Sequence, residues 1–122
     1  MLASRHFECK GGGNVIDNPG TVGRLLEQMQ DQLPIPAFPT KEVVRILRRG
    51  GAKVSVDRAL SITRVFYAGD EGGICCDVTP RRSNEVFIVS LTHLRLAPHH
   101  LLFHAVVAYQ LERVTRLAMA DA

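Results

Sequence analysis

The chain has 122 residues, of which 46% are hydrophobic and 22% charged, and a formal net charge of +3. These values exclude a largely disordered chain and allow one domain with a real core, without disulfides or a structural metal. Three cysteines, Cys9, Cys75 and Cys76, are an odd set with two adjacent in sequence, which excludes a disulfide framework.

Residues 1–20 carry Gly11, Gly12, Gly13 and then Asn18-Pro19-Gly20. They read as a flexible N-terminal arm, and residues 21–122 as a single α+β domain. The opening MLASRHFECKGGGN has no apolar h-region, and no apolar run reaches the ~20 residues of a membrane span. The expectation is a cytoplasmic, reduced protein with no membrane partner.

Thr21 is placed to cap a helix over residues 22–33, where Val22, Leu25, Leu26, Met29 and Leu33 form one apolar stripe. Pro34, Pro36 and Pro39 follow and predict a stiff extended connector lying on the body. Thr40 then caps a second helix over 41–49, stopped by Gly50-Gly51. Val43, Val44, Ile46 and Leu47 form its buried side, and Arg45, Arg48 and Arg49 stand at i, i+3 and i+4 on one basic face.

Residues 53–56 alternate and predict a short strand; residues 60–68 and 74–79 predict two more. Residues 86–96 predict a long third strand of the meander. Its apolar phase switches from Phe87, Val89 and Leu91 to Leu94 and Leu96, which requires a bulge or bend near Thr92-His93. Pairing through a turn at 80–85 puts Ile74, Cys76 and Val78 on one face with Phe87, Val89 and Leu91. Pro98 suits the first turn of a C-terminal helix over 98–119. That helix is too apolar to sit half in water, so it belongs in the middle of the fold or at a subunit interface. The predicted architecture is a two-layer α+β fold. A three- to four-stranded antiparallel meander is packed by the long C-terminal helix, after two N-terminal helices.

The charge is unevenly spread. Residues 41–64 hold seven basic and two acidic side chains, and the rest of the chain is net negative. Arg45, Arg48, Arg49 and Lys53 are therefore candidate anion- or nucleic-acid-binding residues, with Arg58 and Arg64 as extensions. Little aromatic residue interleaves them, so base stacking has weak support.

Asp77, His93, His100 and His104 are candidate pocket residues between sheet and helix, for a small-molecule ligand or an enzyme reaction. His100 and His104 have the i, i+4 spacing of two metal ligands, but they lack the acid of HExxH, and no metal is assigned. Cys75 or Cys76 with His93 and Asp77 would supply nucleophile, base and acid. Mid-strand cysteines are better read as small hydrophobes, and no catalytic residue is assigned. The glycine clusters match no phosphate-loop pattern, and no cofactor is expected.

The order helix–three strands–helix in residues 41–119 is similar in outline to double-stranded-RNA-binding domains and to small toxin ribonucleases. Where the former carry a lysine cluster this chain reads PHHLLFH, and residues 57–66 lack the histidine of the latter. No functional residue is carried over. The sequence reading is a binding or regulatory module in preference to an enzyme, acting as a homodimer through helix 98–119 or the sheet. An anionic partner at the basic face is the second reading, and a His-lined pocket the third.

Overall fold

The computed structural model describes residues 16–81 and 83–120. Among the described residues, three helices and six short strands follow one another: α1 (Pro19–Gln32), β1 (Ile35–Pro39), α2 (Lys41–Arg49), β2 (Leu60–Ile62), β3 (Arg64–Tyr67), β4 (Ile74–Asp77), β5 (Ile88–Ser90), β6 (Leu94–Arg95) and α3 (Phe103–Ala120). The α+β class and the two N-terminal helices are as expected. In place of one meander there are two three-stranded antiparallel sheets, ordered β2-β1-β6 and β3-β4-β5.

Of the expected arm, residues 1–15 lie outside the described residues, while Ile16–Gly20 are built into the fold. The cap of α1 is Asn18, whose Oδ1 accepts from Thr21 N at 3.1 Å, and Pro19 opens the helix. Proline needs no N–H at that position, so the Asn-Pro pair starts the helix before Thr21. The apolar stripe is as predicted, with Val22, Leu25 and Met29 buried.

The proline-rich connector is the central strand of the first sheet. Ile35, Ala37 and Pro39 point into the core. Its two neighbours use different halves: β2 pairs with Ile35–Ala37, and β6 with Phe38 and Pro39. Neither neighbour needs every N–H of the strand, which is how prolines are accommodated between two partners.

The predicted strand over 60–68 breaks at Thr63, with β2 in one sheet and β3 in the other. The strand predicted over 86–96 does the same. After β5, a 3-10 turn at Leu91–His93 redirects the chain into β6, placing the bend where the apolar phase switches. Strands that pass between sheets at bends make corners of this kind. Gln110 of α3 fastens the second corner, its Nε2 donating to Leu91 O at 2.7 Å and Leu94 O at 2.6 Å. The predicted register holds: Cys76 pairs with Val89, and Ile74, Cys76, Val78, Val89 and Leu91 are all buried.

No strand forms at 53–56. Two of its carbonyls are taken by side chains, Val54 O by Arg48 Nε at 3.0 Å and Val56 O by Arg95 Nη2 at 3.5 Å, and Ser55 O accepts from Arg58 N at 3.3 Å.

The core joins the two sheets with α1, α2 and α3 through Met29, Ile35, Leu47, Ile62, Ile74, Leu91, Leu94 and Val106, all essentially inaccessible. Each such side chain contributes about 1.5–3 kcal/mol by leaving water. Helix α3 begins five residues later than predicted. His100 Nδ1 accepts from Leu102 N at 3.0 Å, so residues 98–102 form turns and a cap. Val106, Tyr109 and Arg113 are the buried stripe of α3, while Leu101 before it and Leu111, Val114 and Met119 on it are exposed. The helix thus lies on the surface, not in the middle of the fold. Among the described residues no helix is long and apolar enough to cross a membrane.

Candidate functional site

Helix α2 buries Val43, Val44 and Leu47. That arc is centred between the three, so Ile46 falls outside it and is 57% exposed, not buried as expected. Lys41, Arg45, Arg48 and Arg49 project from the opposite, solvent side.

The end of α2 frees these arginines from capping duty. Gly51 N donates to Arg48 O and Ala52 N to Leu47 O, each at 3.0 Å, with Gly51 at φ +92°. This backbone cap satisfies the last carbonyls, and the left-handed Gly51 permits it. Chain 51–56 then runs back along α2. Arg48 Nε binds Val54 O and fixes the guanidinium over this segment, leaving both Nη groups available.

Two open depressions, of about 450 and 660 Å³, result. Gly51, Ala52, Lys53, Val54 and Arg58 line the first, and Lys41, Val44, Arg45, Arg49 and Val56 the second. Arg48 and Ser55 line both, so the two adjoin and together form a basic surface groove with Arg48 between them. No described lining residue is acidic or aromatic. Glu42, in the first turn of α2, lies outside the lining. Backbone hydrogen bonding at the helix start, with a smaller contribution from the charge of Arg45, holds its carboxyl below the usual range.

All four basic candidates, Arg45, Arg48, Arg49 and Lys53, are therefore brought together, with Lys41 and Arg58. Arg64 is not among them. It sits on the outer face of the second sheet, 3.7 Å from Asp77 and with its Cζ 5.6 Å from the Phe66 ring centroid. Arg95 was not singled out in the sequence. Its bond to Val56 O puts it beside the groove from β6. The only hint was its polar place between Leu94 and Leu96.

The pocket candidates do not gather at the groove. Asp77 accepts from Thr79 N at 3.0 Å and Thr79 Oγ1 at 2.6 Å. Burial raises its pKa, but these bonds and Arg64 outweigh that, and the carboxyl stays below its usual value. His93 is exposed on the corner turn, and its carbonyl accepts from Thr40 N. His100 caps the turn before α3, so His100 and His104 do not share a helical face. His104 is exposed, edge-on to Phe103. Among the described residues no three His, Cys, Asp or Glu side chains converge as a metal site. Cys75 and Cys76 are buried. Burial pushes both thiols up, Cys76 to about 12, which disfavours the nucleophilic thiolate.

A second polar centre went unread in the sequence. Asp17 and Arg113 are both almost wholly inaccessible and form an ion pair at 2.9 Å. Asp17 Oδ2 also accepts from Tyr67 at 3.0 Å and Tyr109 at 3.4 Å, and Arg113 Nη2 donates to Asp70 O at 2.6 Å. Burial, with the Asp17 charge, raises both tyrosine pKa values and keeps the hydroxyls as donors. These groups bond to one another and to the backbone, and Asp17, Tyr109 and Arg113 are buried, which marks a structural lock and not an open site.

No protein-family model, curated protein or solved structure matches the chain.

Proposed function

We propose that this protein is a nucleic-acid-binding module that holds phosphate through the basic face of α2 and the adjoining segment 51–58. The supporting observation is Arg48. Its Nε is anchored on Val54 O at the junction of two depressions whose other charged lining residues are all cations. A guanidinium fixed by one hydrogen bond loses less freedom on meeting a phosphate and still offers a two-pronged end. The test is fluorescence anisotropy with a labelled oligonucleotide at about 50 and 200 mM salt. Affinity should fall steeply between the two, because each phosphate contact releases counterions. An absence of binding at the lower salt would end this reading.

Homodimerisation through α3 is a second reading, favoured by one observation. Leu101, Leu111, Val114 and Met119 are each more than half exposed. The nearby charges Glu112 and Arg116 neutralise each other at 3.1 Å, so two copies of this face could meet without burying an unpaired charge. Sedimentation should show a dimer, and a monomer at high micromolar concentration would refute it.

A further inference from the structure

We infer that one phosphodiester chain crosses both depressions over Arg48 and is held by its backbone, independent of its bases. This rests on the nucleic-acid reading and adds the occupancy of the groove and the mode of contact.

Three features carry it. Arg48 and Ser55 belong to both depressions, so the two adjoin where they stand. Lys41, Arg45 and Arg49 flank Arg48 on one side, and Lys53 and Arg58 on the other. A lone phosphate group, with a charge of about −2, would leave most of these six cations uncompensated. A chain with one charge per residue along its length can meet both sides together. Finally, the lining offers no aromatic ring for stacking, and no amide or carboxylate to read an adenine or cytosine edge. What it offers is cations, a hydroxyl and the backbone of Gly51–Val56, all suited to phosphate.

The groove also fixes the direction of the crossing. One flank comes from the helix and the other from the segment after its glycine stop. The ligand therefore follows α2 from Lys41 to Arg48 and continues past the glycine stop toward Lys53 and Arg58. The arginine face read from the sequence is thus only half of the site.

The experiment uses the full chain and labelled 20-nucleotide oligo(dT) and oligo(dA), with anisotropy read over a salt series. Three exposed-site variants are compared: R45Q/R49Q, K53Q/R58Q and R48Q, each checked for an unchanged urea midpoint. Each flanking pair should weaken oligo(dT) binding by about tenfold and flatten the logarithmic salt dependence by about one per contact removed. R48Q alone should match either pair, and oligo(dA) and oligo(dT) should bind within about threefold of each other. If one flanking pair has no effect, the ligand occupies a single depression and the inference is overturned. A preference above about tenfold for one base overturns the backbone mode. Failure of wild type to bind either oligonucleotide at about 50 mM salt would overturn the nucleic-acid reading itself. The two failures are therefore distinguishable.

Discussion

Replacing Asp17 by alanine should be the most damaging single change in this chain. The carboxylate accepts from Arg113 Nη1 at 2.9 Å and from the hydroxyls of Tyr67 and Tyr109. Its loss leaves a guanidinium that is 2% exposed with only the carbonyl of Asp70, and removes the carboxylate to which Tyr67 and Tyr109 donate. Breaking one side of a buried ion pair costs about 3–5 kcal/mol, because the remaining charge has neither water nor partner. Against a total stability of about 5–15 kcal/mol for a domain, that is a large share. The melting temperature should fall by about 10–20 °C, taking a few degrees per kcal/mol at this chain length. Urea denaturation followed by circular dichroism measures the change, and an unaltered slope would show that the unfolding transition stays comparable. The double variant D17A/R113M sharpens the test. Removing the orphaned charge should recover part of the loss, making the double variant more stable than D17A alone. A D17A midpoint within about 1 kcal/mol of wild type would refute the claim that this pair locks the fold.

Gly73 has φ +65°, and a Cβ there would sit on the Tyr109 hydroxyl and against Arg113. G73A should cost more than about 2 kcal/mol in the same assay, and a neutral effect would show that the lock has room to spare. Q110A removes both bonds to the corner turn. It should cost about 1–3 kcal/mol and speed hydrogen exchange at residues 91–95; unchanged exchange there would mean the corner is held by apolar packing alone. Cys76 supplies a pH dependence. Burial raises its folded pKa from 9.0 to about 12, so its contribution is full below pH 9.0 and is lost as pH rises through the folded value. Wild-type stability should decline across that window and C76V should decline less; equal decline would assign the loss to other groups such as the buried tyrosines.

The helices were legible where their own residues determine them. Val22, Leu25 and Met29 repeat with the helical period, and Gly50-Gly51 stops α2 where the sequence indicates. The corner at Leu91–His93 was legible because a change of apolar phase within one strand has only a few physical solutions. Strand β1 was not, because proline suppresses strand signals and its partners lie far along the chain. The late start of α3 depends on a histidine ring acting as a cap, which composition does not mark. Arg45, Arg48 and Arg49 share a face as their spacing requires. The second flank of the groove needed the return of 51–58 and the arrival of Arg95, both products of tertiary folding. Asp17 and Arg113 read as surface charges on their own, and 96 residues separate them.

Strand β1 has a further consequence for how the chain is made. It is synthesised before both of its hydrogen-bonding partners, Leu60–Ile62 on one edge and Leu94–Arg95 on the other. Until the second of these leaves the ribosome, the proline-rich segment has an open edge and an uncovered apolar face. The first sheet therefore closes only after β3, β4 and β5 have been made, since they intervene between its own strands. Such long-range closure slows folding. The groove beside α2, whose outer wall is braced by Arg95 of β6, is completed in that same late step.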